Sequence, residues 1–476
     1  LGGQSIIATR LISRLRDEFR KELTVRDLFK HSTIRQLATH MDSTGTQCSD
    51  DADWLQQPLP YDEQGRLPLT SAQKRMWLLQ ELDPTSSTYH MSVRYQITAG
   101  LCVDTLKQAL TALIERHHIL HTVYTKTEEG EPRQYRLPAP DLRLECHNLI
   151  AKPDQDTTLE SMIEAEQSTP FDLTSDLMLR ATLYQVEEDH YVLTLTLHHI
   201  AADGWSVEIL AKELSALYSA YRTGCESPLQ PVQWQYTDWT LKHELANGHQ
   251  QTHHLDYWLH QLQDLPERHS LPLDRPYSGH FTAATLTQQL SSARLQQLMN
   301  SGQRHGATLY MQLQLAMAML MGRLTGNLDG SESNGCDIAI GAAYANRDHT
   351  ECAAIVGFMV NSLVIRHTLT PDASIAHLMD ACRNTVLTAY EHADVPFELL
   401  VEKLNPPRNR HYNPLFQVMI NLQSKDTWIL ELAAAQVHPT HTYNQEAKFD
   451  LALDCTSSAD GLEIKWEFNN EILDLD

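Results

Sequence analysis

The residues best suited to chemistry form one short segment near the middle of the chain. The run His198-His199-Ile200-Ala201-Ala202-Asp203-Gly204-Trp205 lies between a strand-like pattern and a helix-like pattern. Adjacent side chains of a strand point to opposite faces, so only one of His198 and His199 can enter a given cleft. That imidazole could act as a base, or both histidines could be buried structural groups. The spacing alone leaves both interpretations open.

The two residues that end this segment could shape its turn. Asp203 can fold back to fix the loop or to orient an imidazole. Gly204 allows a backbone conformation that other residues resist. A turn from strand to helix can also place a reactive side chain beside free backbone N–H groups.

The surrounding pattern predicts the elements that position the segment. Apolar and polar residues alternate from Tyr191 to Leu197, which predicts a strand. An amphipathic helix is predicted to start near Ser206, with its apolar residues at Leu210, Leu214, Leu217, Tyr218 and Tyr221. Helix and strand patterns continue to alternate to the end of the chain. The predicted fold class is therefore α/β (α+β).

The N-terminal 42 residues differ from the rest because they predict only short helices. Ser5 has the position of an N-cap after two glycines, and Thr24 precedes a helix over residues 25–30. Thr33 and Gln36 have capping-box spacing at the start of a helix over residues 34–41. Residues 43–64 are polar and are predicted to be a linker.

Composition excludes several function classes. The 476 residues carry 37 Lys+Arg and 61 Asp+Glu, a formal charge of −24 that disfavours binding to nucleic acid or anionic membranes. The longest apolar run, residues 313–321, is too short to span a bilayer. No secretory leader is visible, and a start without Met predicts a fragment of a longer protein. Eight scattered cysteines suit a reducing compartment, so a cytoplasmic location is predicted.

A group of histidines raises the question of a metal site. His249, His253, His254 and His260 lie close together in the sequence. The segment from Thr240 to Leu262 is predicted to be one long polar helix, in which such histidines are usually solvated. We therefore predict no metal there.

Beyond these patterns, the chain resembles a known family. Residues 198–204 match the His-His-x-x-x-Asp-Gly signature of chloramphenicol acetyltransferase-like acyltransferases. The order of the other motifs resembles the condensation domain of non-ribosomal peptide synthetases. These motifs lie at residues 71–79, 116–122, 236–239, 340–362, 394–398 and 413–417. Seven matches in the right order make the resemblance specific, whereas the His-His motif alone is shared with other acyltransferases.

The N-terminal segment resembles the second half of a peptidyl carrier protein. Leu-Gly-Gly-Gln-Ser at residues 1–5 is similar to the carrier signature, so the resemblance implies that Ser5 carries 4′-phosphopantetheine. A hydroxyl at a helix N-terminus is a favourable place for a phosphodiester. Gln4 replaces the usual His or Asp beside the serine that a phosphopantetheinyl transferase would modify, and the first carrier helix is absent from this sequence.

The resemblance implies an architecture and a reaction. A carrier segment (1–42) would precede two acetyltransferase-like lobes in a V, at residues 65–239 and 240–476. Amide-bond formation would transfer a donor peptidyl or aminoacyl thioester from the upstream carrier to the α-amine of an aminoacyl thioester on a downstream carrier. His199 would orient or deprotonate that amine, Gly204 N–H would bind the oxyanion, and His198 and Asp203 would be structural. Partner adenylation and condensation domains of one assembly line are implied, with no metal.

Departures from the family pattern leave questions open. His121 stands where the family has an arginine suited to pair with Asp203, so Arg116, Arg75 or a charged His121 could take that role. Ala343 and Asn346 replace a common Pro and Gly, which predicts tolerated loop variation. Arg347 and Glu351 match the family and could be structural ion-pair partners or substrate contacts.

Two other functions remain as alternatives. An epimerisation domain shares the His-His motif, although the motif that ends at residues 357–362 fits condensation better. A non-catalytic platform that only docks carriers or tailoring enzymes is the second alternative. The identity and chirality of the joined residues, and the peptide product, do not follow from the sequence.

Overall fold

The computed structural model describes residues 11–44, 58–247, 251–325, 336–424, 429–440 and 446–475, apart from residues 13, 17, 22, 32, 139, 153, 348, 408 and 410. Gln4 and Ser5 lie outside the described residues, as does most of the predicted linker. In the described part, no helix is long and apolar enough to cross a membrane.

The elements are numbered in chain order. The helices are α1 (Val25–Lys30), α2 (Ile34–Ser43), α3 (Ser71–Leu82), α4 (Val103–Arg116), α5 (Gln155–Ser168), α6 (Gly204–Arg222), α7 (Tyr236–Asn247), α8 (Gln251–Gln261), α9 (Ser292–Arg304), α10 (Leu309–Leu324), α11 (Ile375–Glu391) and α12 (Phe397–Leu404). Single 3-10 turns lie at His118–His121 and Thr350–Ala354. The strands are β1 (Leu67–Pro68), β2 (His90–Thr98), β3 (Thr122–Lys126), β4 (Pro132–Arg136), β5 (Leu144–Asn148), β6 (Leu179–Glu187), β7 (His190–His198), β8 (Ala283–Ser291), β9 (Cys336–Tyr344), β10 (Asn361–Leu369), β11 (Val418–Ser424), β12 (Gln436–Thr440), β13 (Leu451–Ser458) and β14 (Gly461–Asn469).

The N-terminal segment forms helices as predicted. Thr24 caps α1 and Thr33 caps α2, each through a capping box in which the side chains of the first and fourth residues bond to each other's backbone N–H. Four buried side chains close a small core beneath them, at Ile12, Leu23, Leu28 and Leu37. This core is small because only a few short helices contribute to it.

The first large sheet positions the segment that holds the two histidines. Its strand order is β12-β2-β7-β6-β5, and β7 pairs antiparallel with β2 so that His198 lies opposite His90. Helix α6 follows β7 and packs with α4 against this sheet through apolar residues that include Leu210, Leu214 and Leu217. The predicted strand and amphipathic helix are therefore confirmed, although the helix begins at Gly204 because Asp203 caps it.

A second large sheet forms the other half of the molecule. Its order is β10-β9-β11-β13-β14-β8, in which β11 runs parallel to both β9 and β13. Helices α10 and α11 cover this sheet with buried side chains such as Met311, Leu315 and Val386. These two sheets with helices packed on them give the mixed α/β fold that the sequence predicted.

Two segments of the predicted second lobe join the first half. Strand β12 pairs with β2, with Val437 opposite Ile97. The segment at residues 352–359 buries Cys352, Ile355 and Phe358 in the same core as β2 and β7. The division at residues 239 and 240 therefore does not separate all contacts, because the chain returns twice to complete the first half.

Candidate active site

His199 directly follows β7 and is held in one orientation by two hydrogen bonds. Its backbone N–H donates to Tyr89 O at 2.9 Å, and its ring Nδ1 lies 2.9 Å from Ala202 O. A carbonyl oxygen only accepts, so Nδ1 carries the proton and Nε2 keeps its lone pair. The ring of Phe358 meets the His199 ring edge-on at 5.3 Å. The side chain thus presents an acceptor nitrogen in a fixed direction.

The electrostatic environment keeps His199 neutral. Burial lowers the pKa of His199 to about 3, and the positive charge of Lys448 adds to this effect. An imidazole with so low a pKa is a weak base but a good hydrogen-bond acceptor. The geometry therefore favours orienting an amine over removing its proton.

His198 lies on the opposite side, in the core. It is fully buried, and its Nδ1 accepts the N–H of Ile200 at 3.1 Å. Its Nε2 is 3.4 Å from the side-chain oxygen of Gln80, and the rings of His90 and Phe171 lie 6.0 and 5.7 Å away. Burial holds the pKa of His198 well below its usual value. The neutral ring is enclosed by the protein, as the alternation along β7 predicts.

Asp203 is a buried carboxylate with several donors around it. Oδ1 accepts the N–H of Ser206 at 2.8 Å and lies 2.7 Å from the Ser206 hydroxyl. Oδ2 accepts the N–H of Met359 at 3.2 Å. The residue is 0% exposed, so its charge depends on these contacts and on a cation. Together they join the turn to the segment at residues 352–359.

Arg347 is the cation that pairs with Asp203. Its Nη2 lies 3.2 Å from both carboxylate oxygens, and Nη1 donates to the carbonyls of Cys352 and Ile355 at 2.7 Å each. The side chains of the two ions are 1% and 0% exposed. Of the two roles that the sequence left open for Arg347, the structure shows the structural ion pair.

The three partners predicted for Asp203 are all engaged elsewhere. Arg116 Nε donates to Glu213 at 3.0 Å, and Arg75 Nη1 lies 3.5 Å from Glu398. His121 Nδ1 lies 2.9 Å from the carbonyl of residue 137, and burial lowers the pKa of His121, which disfavours a charged ring. The prediction was wrong because the cation comes from a loop 144 residues further along the chain.

Gly204 differs from the prediction made for it. Its φ is not in the left-handed region, so its backbone conformation does not require glycine. A Cβ built on Gly204 would meet no atom within 4 Å. The absence of a side chain instead leaves open space at the first residue of α6. Its N–H belongs to the first turn of α6, where backbone donors have no partner within the helix.

A cavity lies between α3, α7 and the segment at residues 358–362. It encloses about 900 Å³, including open solvent, and Phe358, Arg75 and Glu398 contribute to its lining. Glu244 also lines it and accepts the N–H of Ser71 at 3.0 Å. Burial raises the pKa of Glu244 to about 7. Phe358 lines this cavity and also meets the His199 ring, so one side chain lies between the cavity and the imidazole.

Asn346 shows why one departure from the family pattern is tolerated. Its φ is 51°, in the left-handed region that favours glycine. Asparagine is among the few other residues that adopt this conformation readily. Asn346 can therefore stand where the family commonly has Gly, as the sequence predicted.

The histidine group near residue 250 is only partly as predicted. The polar segment forms two helices, α7 and α8, and His249 lies between them outside the described residues. His253 and His260 are exposed. His254 is half-buried, with Nδ1 3.0 Å from Nδ1 of His392, so the prediction of a solvated side chain was wrong for this residue.

Within the described part of the chain, a group of possible metal ligands comprises Asp27, His31 and His40, whose donor atoms lie within 4.8 Å of one another. The His31 and His40 rings stack at 4.3 Å with planes only 20° apart. Stacked rings direct their nitrogen lone pairs along separate planes, so both rings would have to turn to share one ion.

Sequence reasoning missed Lys448. Its Nζ lies 5.9 Å from the centre of the Tyr89 ring, next to the backbone that holds His199. A single lysine before an apolar strand carries no local signal of this role. Only the packing of residues 446–450 against the loop before β2 brings it to the site.

Two family models match the chain. The model described as Condensation domain matches residues 63–475, and the model described as Phosphopantetheine attachment site matches residues 1–41. Malpinin synthetase of Mortierella alpina is 32% identical over 100% of this chain, and the dimodular nonribosomal peptide synthase of Bacillus subtilis is 32% identical over 97% of it. The chain spans only 6% and 19% of the lengths of these two relatives.

Solved structures share the fold. The X-domain from teicoplanin biosynthesis matches with a TM-score of 0.77 and 26% identity, over 88% of this chain and 93% of that one. The first condensation domain of the CDA synthetase matches with a TM-score of 0.72 at 20% identity, over 86% and 92% of the two chains. At this lower identity the second likeness supports the fold alone.

Proposed function

We propose a reaction for this chain from its family: the chain belongs to the Condensation domain family and begins with a phosphopantetheine attachment segment. The reaction is amide-bond formation between two carrier-bound substrates of a non-ribosomal peptide synthetase. The acceptor amine forms a C–N bond with the donor carbonyl carbon, the C–S bond of the donor thioester breaks, and the amine loses one proton as the thiol is released.

The orientation of His199 carries the proposal. With Nδ1–H bonded to Ala202 O at 2.9 Å, the lone pair of Nε2 is left to accept an N–H of the incoming amine. This hydrogen bond aligns the nitrogen lone pair with the donor carbonyl. Holding two reactants in such a geometry can contribute about 7–11 kcal/mol to lowering a barrier.

The other three residues of the signature have supporting roles. We propose that Gly204 N–H, in the first turn of α6, donates to the oxyanion of the tetrahedral intermediate. Asp203 fixes the turn through Arg347, and His198 supports it from the core. These roles explain why the signature combines one accessible imidazole with three residues that shape its surroundings.

Ser5 is proposed to carry the donor, because it occupies the serine of the carrier signature within residues 1–41. When bound through Ser5, 4′-phosphopantetheine supplies the thioester that activates the donor. We propose that the acceptor arrives on a downstream carrier, and that adenylation domains and a phosphopantetheinyl transferase load the two carriers. A cytoplasmic site of action is part of the same proposal.

Intact-protein mass spectrometry tests the reaction. The complete carrier and condensation segment of the natural protein is loaded with a peptidyl pantetheine on Ser5 and mixed with an aminoacyl downstream carrier. Transfer of the peptide mass to the acceptor is expected. A Ser5→Ala variant is the matched control, which should neither load nor transfer.

Two results would contradict the proposal. Loading and carrier binding without transfer would favour a docking platform, a possibility of interest because the teicoplanin X-domain was solved in complex with OxyB. Recovery of a D-configured donor without acceptor would favour epimerisation. Either result would assign the intact signature to a different function.

A further inference from the structure

Lys448 lies beside the catalytic turn without being part of the signature. It precedes β13 and faces the loop that leads into β2, where Glu446 Oε2 accepts a hydrogen bond from Ser86 Oγ at 3.0 Å. Its Nζ is 5.9 Å from the centre of the Tyr89 ring. The carbonyl of Tyr89 in turn accepts the N–H of His199 at 2.9 Å. Tyr89 therefore lies between the ammonium group of Lys448 and the backbone N–H of His199.

The backbone around Lys448 is firmly held. Its carbonyl accepts the side-chain N–H of Asn413 at 2.7 Å. Two residues later, buried Asp450 accepts from the hydroxyl of Tyr277 at 2.5 Å and lies 3.0 Å from Nε2 of His269. These contacts fix the backbone from which the Lys448 side chain extends.

The charge of Lys448 is not cancelled by a direct partner. Among the described residues, no carboxylate lies within ion-pair distance of its Nζ, and the acidic groups that face it are Asp454 of β13 and Glu467 of β14. The Glu467 carboxylate also forms an ion pair with Lys465, whose Nζ lies 4.0 Å from Oε2. Burial lowers the pKa of Lys448, the mark of a cation with incomplete solvation.

The groups that face His199 make its surroundings positive. Lys448 acts on the ring from the segment before β13, and Arg75 acts from α3. The neighbouring His198 is neutral, and the charge of Asp203 is matched by Arg347. Arg75 lies 3.5 Å from Glu398, so Lys448 is the cation acting on His199 for which the described residues offer no carboxylate within ion-pair distance.

We propose that Lys448 is a positioning residue that makes the cleft take the acceptor as a free amine and not as an ammonium ion. This inference rests on the proposed function. Nε2 of His199 would accept an N–H from either form, so the imidazole cannot distinguish them. Only the free amine has the lone pair that attacks the thioester. A fixed cation discriminates, because it raises the free energy of a second positive charge nearby.

The distinction matters at neutral pH. An α-amine in water has a pKa of about 8, so at pH 7 most of it is protonated. A neighbouring cation lowers the pKa of the bound amine, and a larger fraction is then ready to react. Removal of Lys448 should therefore reduce transfer at neutral pH more than at alkaline pH.

Single-turnover transfer at saturating acceptor, followed by intact mass spectrometry from pH 6 to pH 9, tests this inference. In Lys448→Met the rising limb of the pH–rate profile should move about one unit toward alkaline pH, with rates converging on wild type at the upper end. A second neutral variant, Lys448→Gln, should show the same shift. Lys448→Arg keeps the charge and should keep the wild-type limb.

A matched control removes the same charge elsewhere. Lys212→Met replaces an exposed lysine of α6 that pairs with Glu208. The rising limb of the pH–rate profile of this variant should coincide with that of wild type. An unmoved limb in both neutral variants, or an equal loss at every pH, would overturn the role of Lys448. Absence of transfer by the wild-type protein would instead overturn the proposed function, and this inference with it.

Discussion

The turn from His198 to Ser206 has two faces with opposite properties. On the buried face, His198 and Asp203 are 0% exposed, and the carboxylate is matched by Arg347. On the cleft face, His199 is partly exposed, and within the described residues its Nε2 has no protein partner. Gly204 is also exposed and borders open space.

The difference shows how one short segment can serve both stability and chemistry. On the buried face the hydrogen-bonding groups are engaged within the protein, so a substitution should reduce the free energy of unfolding. On the cleft face the free groups are available to substrate, so a substitution should reduce transfer and leave the fold intact. Substitutions on the two faces should therefore separate a loss of stability from a loss of transfer.

The largest expected effect is on the cleft face. His199→Ala should reduce peptide transfer by about 10²-fold, because the amine loses the group that orients it. Its melting temperature should stay near that of wild type. His198→Ala, the control one residue away, should lower the melting temperature instead. Near-normal transfer by His199→Ala would contradict the role of His199 in orienting the amine.

The buried face should respond most strongly at Arg347. Arg347→Met leaves the Asp203 carboxylate buried without a cation, and we expect a loss of about 3–5 kcal/mol in the free energy of unfolding measured with urea. The double variant Arg347→Met/Asp203→Asn removes both charges and should recover part of that loss. A single variant as stable as wild type would show that the pair does not hold the turn.

Gly204 offers a smaller and more selective test. Since a Cβ there meets no protein atom within 4 Å, Gly204→Ala should fold with a stability within about 0.5 kcal/mol of wild type. The methyl group would occupy the open space next to the N–H that we propose binds the oxyanion, and transfer should fall about tenfold. Gly341→Ala is a contrasting variant, because its Cβ would lie 2.2 Å from Phe416 and should destabilise the fold. Unchanged transfer by Gly204→Ala would show that this space is not used.

The smallest effect concerns the pH dependence of stability at the cavity. Burial raises the pKa of Glu244 to about 7, above its value in an unfolded chain. The stability from this group is fully present below about pH 4.5 and is lost as the pH rises through 7. Between pH 5.5 and pH 8, the melting temperature of Glu244→Gln should therefore fall less than that of wild type. The exposed Glu402→Gln should follow wild type, and an identical slope in Glu244→Gln would contradict the assignment.

Much of the fold could be predicted because its signals are local. The alternation before His198, the helix that follows Asp203 and the capping boxes at Thr24 and Thr33 each depend on neighbours within a few residues. All of these were confirmed in the structure. Regular hydrogen bonding along a helix or strand makes such patterns readable without knowledge of the rest of the chain.

The sequence by itself determined the family, the mixed α/β fold and the segment that bears the two histidines. Tertiary structure alone decided that Arg347 pairs with Asp203 across 144 residues, that β12 joins the first sheet and that Lys448 lies near the ring of Tyr89, whose carbonyl accepts the N–H of His199. Several arginines were chemically suited to Asp203, and their types and spacing did not distinguish them. A buried charge accepts whichever partner the folded chain brings within reach, so long-range packing makes that choice.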